Sequence, residues 1–191
     1  MNKKVKVEIS AHHIHLNKED FEKLFGAGAE LTIKKKLSQP GMFAANETVG
    51  IKDDEFEMKN VRIVGPVRNY TQVEITETEA RNFRINPFLR LSGNIKDTPG
   101  ITVVGPKGTI GIREGVIVAK RHVHMTPEEA SEINVKDGDS MKVKVEGERG
   151  LIFDNVIARV DKTYAWACHI DTDEGNAAGM SSCGDGEVIL S

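Results

Sequence analysis

The sequence predicts a mainly β fold packed as barrels or sandwiches, with few and short helices. Three observations predict it. Apolar and polar residues alternate in many short runs, Gly-Pro and Asp-Gly pairs fall between those runs, and one strand–helix device occurs twice. Many short strands with frequent turns disfavour a βαβ sheet.

Taken in chain order, Val5, Val7 and Ile9 alternate with Lys4, Lys6 and Glu8, the pattern of a half-buried strand. Residues 61–64, 72–75, 101–104 and 116–118 are further β-type runs. Val143 and Val145 alternate with Lys142, Lys144 and Glu146, and residues 151–153 and 156–160 read as two more strands. Turn signals stand at Gly65-Pro66, Gly105-Pro106, Asp137-Gly138 and Asp185-Gly186. No Walker A or GxGxxG nucleotide loop is present.

Composition narrows the function classes. The chain has 191 residues, enough for one large domain or two small ones. Its charge sum, 26 − 29 = −3, gives no basic field for nucleic acid. No apolar run approaches the roughly 20 residues that span a bilayer. Met1-Asn2-Lys3-Lys4 leads into alternation rather than an apolar signal region. The cysteines, Cys168 and Cys183, match no CxxC pair, so a disulfide framework is not expected. These features predict a cytoplasmic protein with no nucleic-acid or membrane partner.

The repeated device is a strand followed by HxH and a capped helix. His13-Ile14-His15-Leu16 precedes Asn17, a good N-cap. His122-Val123-His124-Met125 precedes Thr126, Pro127 and Glu129, which fit a capping box with proline at the first helical position. Two related halves follow. His13 and His15 share parity with Val5, Val7 and Ile9, and His122 and His124 with Val116 and Val118. If the strands run on unbroken, both pairs face inward and His12 faces away. Such a pair, about 6–7 Å apart at Cα, suits chelation of a transition metal by neutral imidazole. Zinc is preferred because it is redox-inert and common in hydrolytic and transfer sites.

Two other segments carry chemistry. Arg68 follows Gly65-Pro66 and offers a planar fork for phosphate or carboxylate. Glu74 lies between Val73 and Ile75, either on a solvated face or as a ligand. An unbroken strand would hold Arg68 and Glu74 roughly 20 Å apart, so they share a site only if the chain bends, best at Asn69. His169 is the remaining histidine that could complete a metal shell. Asp171, Asp173 and Glu174 read as a cap cluster or as partners for imidazole N–H groups, and Cys168 as a small buried hydrophobe.

These motifs resemble one family closely. Residues 10–16, 65–75, 91–93, 101–108, 119–125 and 169–178 are similar to the PduL-type phosphate acyltransferases, the phosphate propanoyltransferases, as are Leu37-Ser38-Gln39-Pro40-Gly41 and residues 149–156. The resemblance implies two β-barrel domains with short capping α-helices and a metal site at the domain interface. One domain would comprise residues 1–11 and 120–191, the other residues 12–119. It implies two Zn2+ per chain, one on His13, His15 and Glu74, the other on His122, His124 and His169. It implies that Arg68 contacts phosphate, that Ser92 of Leu91-Ser92-Gly93 lies near coenzyme A, and it leaves room for a homodimer. His12 stands where the family usually has arginine. The first HxH begins at His13, so no microcompartment-targeting extension is expected.

The expected reaction is reversible conversion of a short-chain acyl-CoA (propanoyl-CoA or acetyl-CoA) and phosphate into acyl phosphate and CoA, by direct attack of zinc-bound phosphate. Holding the two reactants in line can contribute up to ~7–11 kcal/mol. The thiolate leaves readily, so no enzyme nucleophile is needed. The alternative is a dimetal hydrolase of a phosphoester or thioester, whose turnover would not depend on phosphate.

Overall fold

Local alternation and capping are realised as short strands and shorter helices. The computed structural model describes residues 3–86 and 88–189. The outermost residues assigned above to the composite domain, 1–2 and 190–191, lie outside the described residues. In chain order the elements are β1 (Lys3–Ser10), β2 (His13–His15), α1 (Lys18–Phe25), β3 (Ile33–Lys36), β4 (Phe43–Lys52), β5 (Glu57–Gly65), β6 (Gln72–Glu74), α2 (Glu77–Asn82), β7 (Leu89–Arg90) and β8 (Ile101–Val104). They continue with β9 (Thr109–Ile112), β10 (Val116–Ala119), β11 (His122–Met125), α3 (Pro127–Glu132), β12 (Ser140–Val145), β13 (Leu151–Val160), β14 (Ala167–Asp171), α4 (Thr172–Ala177) and β15 (Gly184–Ile189). The mainly β architecture with short helices agrees with the sequence expectation.

The chain divides into two units. The first takes the residues up to Ala11, Ser38–Pro40 and everything from Lys120; the second takes His12–Leu37 and Gly41–Ala119.

The first unit is a closed six-stranded barrel in the order β1-β14-β11-β13-β12-β15. Closure leaves no unpaired strand edge. β1 makes it possible by pairing on both sides, parallel to β14 from Val7↔Cys168 to Ser10↔Asp171 and antiparallel to β15 from Lys3↔Val188 to Val7↔Gly184. The predicted alternation places Val5 and Val7 in the core with Val123, Met125, Val143, Val145, Phe153, Val156 and Val188. Each fully buried side chain of this kind contributes about 1.5–3 kcal/mol.

Two sequence expectations are revised here. Asp185-Gly186 is not a turn but lies inside β15. An ideal Cβ on Gly186 would meet Val7 Cγ2 at 2.6 Å and the Lys144 carbonyl at 3.1 Å, so glycine serves close approach of neighbouring strands. Residues 151–153 and 156–160 form one strand, β13. Asn155 adopts φ 53°, and the register to β12 shifts between Met141 and Val143. One extra residue on β13 makes a bulge there, and asparagine tolerates that left-handed backbone.

The second unit is a nine-stranded sheet that curls into a half-barrel, ordered β7-β10-β6-β2-β5-β4-β8-β9, with β3 on β4. Ile14, Leu16, Ile51, Val61, Ile63, Val73 and Val103 fill its core, together with Phe21 and Leu24 of α1. α1 starts where Asn17 caps it, its side chain accepting from Asp20 N at 2.8 Å. It ends against the β8–β9 turn, where Lys107 N donates to Leu24 O at 3.0 Å.

The inward-facing parity argument for the histidines rests on strands that do not run on. β1 stops at Ser10 and β2 begins at His13, in different sheets; β10 stops at Ala119 and β11 begins at His122, again in different sheets. The histidines are nonetheless buried, because β2 and β11 have neighbours on both sides and cover on both faces.

Candidate functional site

The histidines at 13, 15, 122, 124 and 169, with Gln72 and Glu74, sit at strand ends that a capped helix follows. The two devices read from the sequence are present: Asn17 caps α1, and Thr126 with Glu129 forms the capping box of α3. The fold contains two more, one unforeseen on α2 and one on α4 at the residues that the sequence offered as a cap cluster. Gln72 and Glu74 precede a capping box of Thr76 and Glu79 on α2, and His169 precedes one of Asp171 and Glu174 on α4. Their spacing, Thr-x-x-Glu and Asp-x-x-Glu after a β run, was the available signal. Asp171 and Glu174 thus take the capping role of the two left open above.

Antiparallel pairing of β2 with β6 sets the first cluster. Its register places His13 opposite Glu74, Ile14 opposite Val73 and His15 opposite Gln72. His13 Nε2 lies 3.2 Å from His15 Nε2, with the rings perpendicular. Glu74 offers Oε2 at 3.6 Å from His13 Nε2 and Oε1 at 3.7 Å from His15 Nε2. Among the described residues, His13, His15 and Glu74 are the group of three whose ligand atoms all lie within 4.8 Å of one another.

The donor set fits a zinc ion. His15 Nδ1 lies 3.0 Å from the Val64 carbonyl, which can only accept, so Nδ1 carries the proton and Nε2 the lone pair. Two nitrogens on a tetrahedral zinc with 2.0–2.1 Å bonds stand about 3.3 Å apart, close to the separation seen here. Two imidazoles and one carboxylate leave a fourth position open, as catalytic zinc sites do.

Burial disfavours the charged His15 ring and pushes its pKa from 6.5 down to about 4, against the pull of Glu74. Burial also works to raise the Glu74 pKa, but the charge of His13 and the hydrogen bond and charge of His15 outweigh it and hold the carboxyl well below its usual range. Both depressed pKa values act in the same sense on stability. The contribution of His15 is fully present above pH 6.5 and is lost as pH falls toward 4; that of Glu74 is present above 4.5 and is lost below it. For His15 alone this amounts to about 3 kcal/mol. Metal-free protein is therefore expected to lose urea resistance between pH 7 and 4.5, and His15→Gln to flatten that dependence. Equal slopes in parent and variant would remove His15 as the cause.

The second cluster lies in the barrel unit. β11 pairs with β14 so that His122 faces His169 and His124 faces Ala167. Ring centroids stand 4.6 Å apart for His122–His124, 5.2 Å for His122–His169 and 5.0 Å for His124–His169. His122 Nδ1 lies 2.8 Å from the Lys120 carbonyl, which directs Nε2 elsewhere. His169 Nδ1 stands 3.8 Å from Glu8 Oε2, and Tyr164 packs 4.2 Å from the His124 ring.

Arg68 and Glu74 meet the bend condition. Arg68 bridges to Asn17, the chain bends at Asn69 and Tyr70, and β6 begins at Gln72. Arg68 Nη1 donates to Tyr70 Oη at 2.9 Å and to Ser92 Oγ at 3.2 Å. Ser92 Oγ also accepts from Gln72 Nε2 at 2.9 Å, and that nitrogen donates to Glu74 Oε1 at 2.6 Å. Gln72 and Tyr70 escaped the sequence reading, since neither type marks chemistry by itself. Gly93, at φ 98°, closes the 91–93 turn; a Cβ there would meet Tyr70 Oη at 3.3 Å.

His12 engages Glu79 instead of the histidine pair, with Nδ1 2.6 Å from Oε1, and that hydrogen bond raises its pKa against burial. Cys168 is fully buried, as expected.

Comparison with known proteins shows the family. The family model described as phosphate propanoyltransferase matches residues 6–181. Phosphate propanoyltransferase of Thermotoga maritima is 51% identical over 94% of this chain and 85% of its own length. The proteins of the same name from Lachnoclostridium phytofermentans and Salmonella typhimurium are 50% and 47% identical, over 97% and 91% of this chain and 87% and 83% of their own lengths. With near-full coverage at this identity, the chain belongs to the phosphate propanoyltransferase family, a family of phosphate acyltransferases.

Proposed function

We propose that this chain is a zinc-dependent phosphate acyltransferase, moving a propanoyl or acetyl group reversibly between coenzyme A and inorganic phosphate. The observation that carries the reading is the His13–His15–Glu74 donor group joined by hydrogen bonds, through Gln72 and Ser92, to Arg68. His13, His15 and Glu74 would hold one zinc, and His122, His124 and His169 a second. Bound zinc supplies positive charge that offsets the charge of phosphate and polarises the thioester carbonyl.

The remaining chemistry falls to the chain itself. Arg68 contacts phosphate through its fork, whose Nη1 is braced by Tyr70 and Ser92, so its orientation is set before the anion arrives. Ser92, on the 91–93 turn, lies beside coenzyme A. A phosphate oxygen forms the bond to the acyl carbon, the carbon–sulfur bond breaks, and the sulfur leaves as thiolate. No covalent acyl-enzyme forms. Burial pushes the Cys168 thiol to about 12, which removes it as a nucleophile at neutral pH. A cytoplasmic location accords with this reading; among the described residues no helix is long and apolar enough to cross a membrane.

The test couples two measurements. Bound metal is quantified in purified protein, then thiol release from propanoyl-CoA and acetyl-CoA is followed with and without phosphate. The expected result is zinc in the protein and thiol release that requires phosphate. Release without phosphate would establish a thioester hydrolase instead. The C168A/C183A double variant is expected to keep full turnover, and a folded, metal-loaded double variant without turnover would overturn the direct route.

A further inference from the structure

We propose that Gln72 is a positioning residue that joins the metal-binding carboxylate and the Arg68–Ser92 anion cradle into one cooperative unit, so that zinc and phosphate each tighten the binding of the other. The inference rests on the zinc and phosphate assignments of the proposed function.

Gln72 has no exposed surface at all. A carboxamide removed from water is costly unless its hydrogen bonds are replaced. Sheet pairing does not demand one here. At the matching position of the barrel unit, opposite His124, stands Ala167, whereas opposite His15 stands Gln72.

Both the oxygen and the nitrogen of the amide are used. Oε1 accepts from Gly93 N at 2.7 Å. Since that N–H can only donate, the oxygen and nitrogen of the amide are assigned without ambiguity. Nε2 gives one proton to Glu74 Oε1 and the other to Ser92 Oγ. Ser92 Oγ accepts from Arg68 as well. Glu74, Ser92 and Gly93 are therefore tied directly through one side chain whose two N–H donors are both in use, and Arg68 joins them through Ser92. A cation drawing on Glu74 sets the angle of the amide, and the amide sets the 91–93 turn and the rest of the Arg68 fork. Coupling of this kind is reciprocal by necessity.

The test uses the full chain stripped of metal. Zinc affinity is read by competition with a chromophoric chelator, and phosphate affinity by calorimetry with and without zinc. In the parent, zinc is expected to tighten phosphate binding at least about fivefold. Gln72→Met fills the same space without hydrogen bonds. It is expected to weaken zinc binding about 10–100-fold and to bring the effect of zinc on phosphate binding toward unity. In turnover, KM for phosphate should rise more than kcat falls. Gln72→Asn keeps the amide but not its reach, and gives the same direction of change should the methionine variant not fold. A folded variant that binds zinc like the parent, with the same effect of zinc on phosphate, overturns the proposal. Zinc affinity is read without turnover, so a parent chain that binds zinc yet consumes no acyl-CoA would sink the acyltransferase reading separately.

Discussion

Glu74→Gln is expected to weaken zinc binding more than about 100-fold, beyond the 10–100-fold typical of groups that merely orient a ligand. The substitution keeps the shape and removes the negative charge from between two imidazoles whose Nε2 atoms stand 3.2 Å apart. Two neutral rings alone make a poor site for a dication, and on the proposed reading the carboxylate across the β2–β6 pair would be the third ligand. Phosphate-dependent thiol release should fall about 1,000-fold or more, the rate equivalent of losing several kcal/mol of charge stabilisation. Metal content and turnover measured on the same folded preparation decide the matter. A variant that keeps its zinc would show that Glu74 is not a ligand, and one that loses zinc but keeps turnover would show that this ion is not needed.

Arg68→Ala is expected to act on phosphate and leave the metal in place. The guanidinium is held over the Tyr70 ring, its carbon 5.7 Å from the ring centroid, and is tied to Ser92. Removing a preorganised donor from a charge-developing site costs about 100–1,000-fold in rate. KM for phosphate should rise, KM for acyl-CoA should change little, and zinc content should match the parent. Arg68→Lys keeps the charge but not the fork, so it should recover only part of the loss. A steady-state series varying each substrate in turn separates these outcomes. Unchanged phosphate dependence in Arg68→Ala would remove this residue from the site and favour a hydrolase or a non-catalytic metal protein.

Much of the site was legible because its signals are local. An HxH at a strand end, an Asn or Thr cap after it, and a lone arginine past Gly-Pro are all patterns within a few residues. The bend at Asn69 could be foreseen, since strand geometry forbids Arg68 and Glu74 from meeting otherwise. Gln72 could not be, because a glutamine in a β run is unremarkable until the Gly93 N–H appears at its oxygen. The reading of Asp185-Gly186 as a turn failed for a related reason. Glycine marks either a turn or a close approach, and only the neighbours Val7 and Lys144 decide which.

The sequence by itself determined the β character, the capped helix starts, the paired histidines and the family resemblance. Each follows from side-chain spacing, because alternation, capping and chelating pairs have energies set within one to four residues. The tertiary structure alone decided that β1 and β2, like β10 and β11, part into different sheets, and that His13 faces Glu74 while His15 faces Gln72. Register between segments distant in the chain depends on which hydrophobic faces are buried together, and a slip of one residue would turn Glu74 away from the histidines.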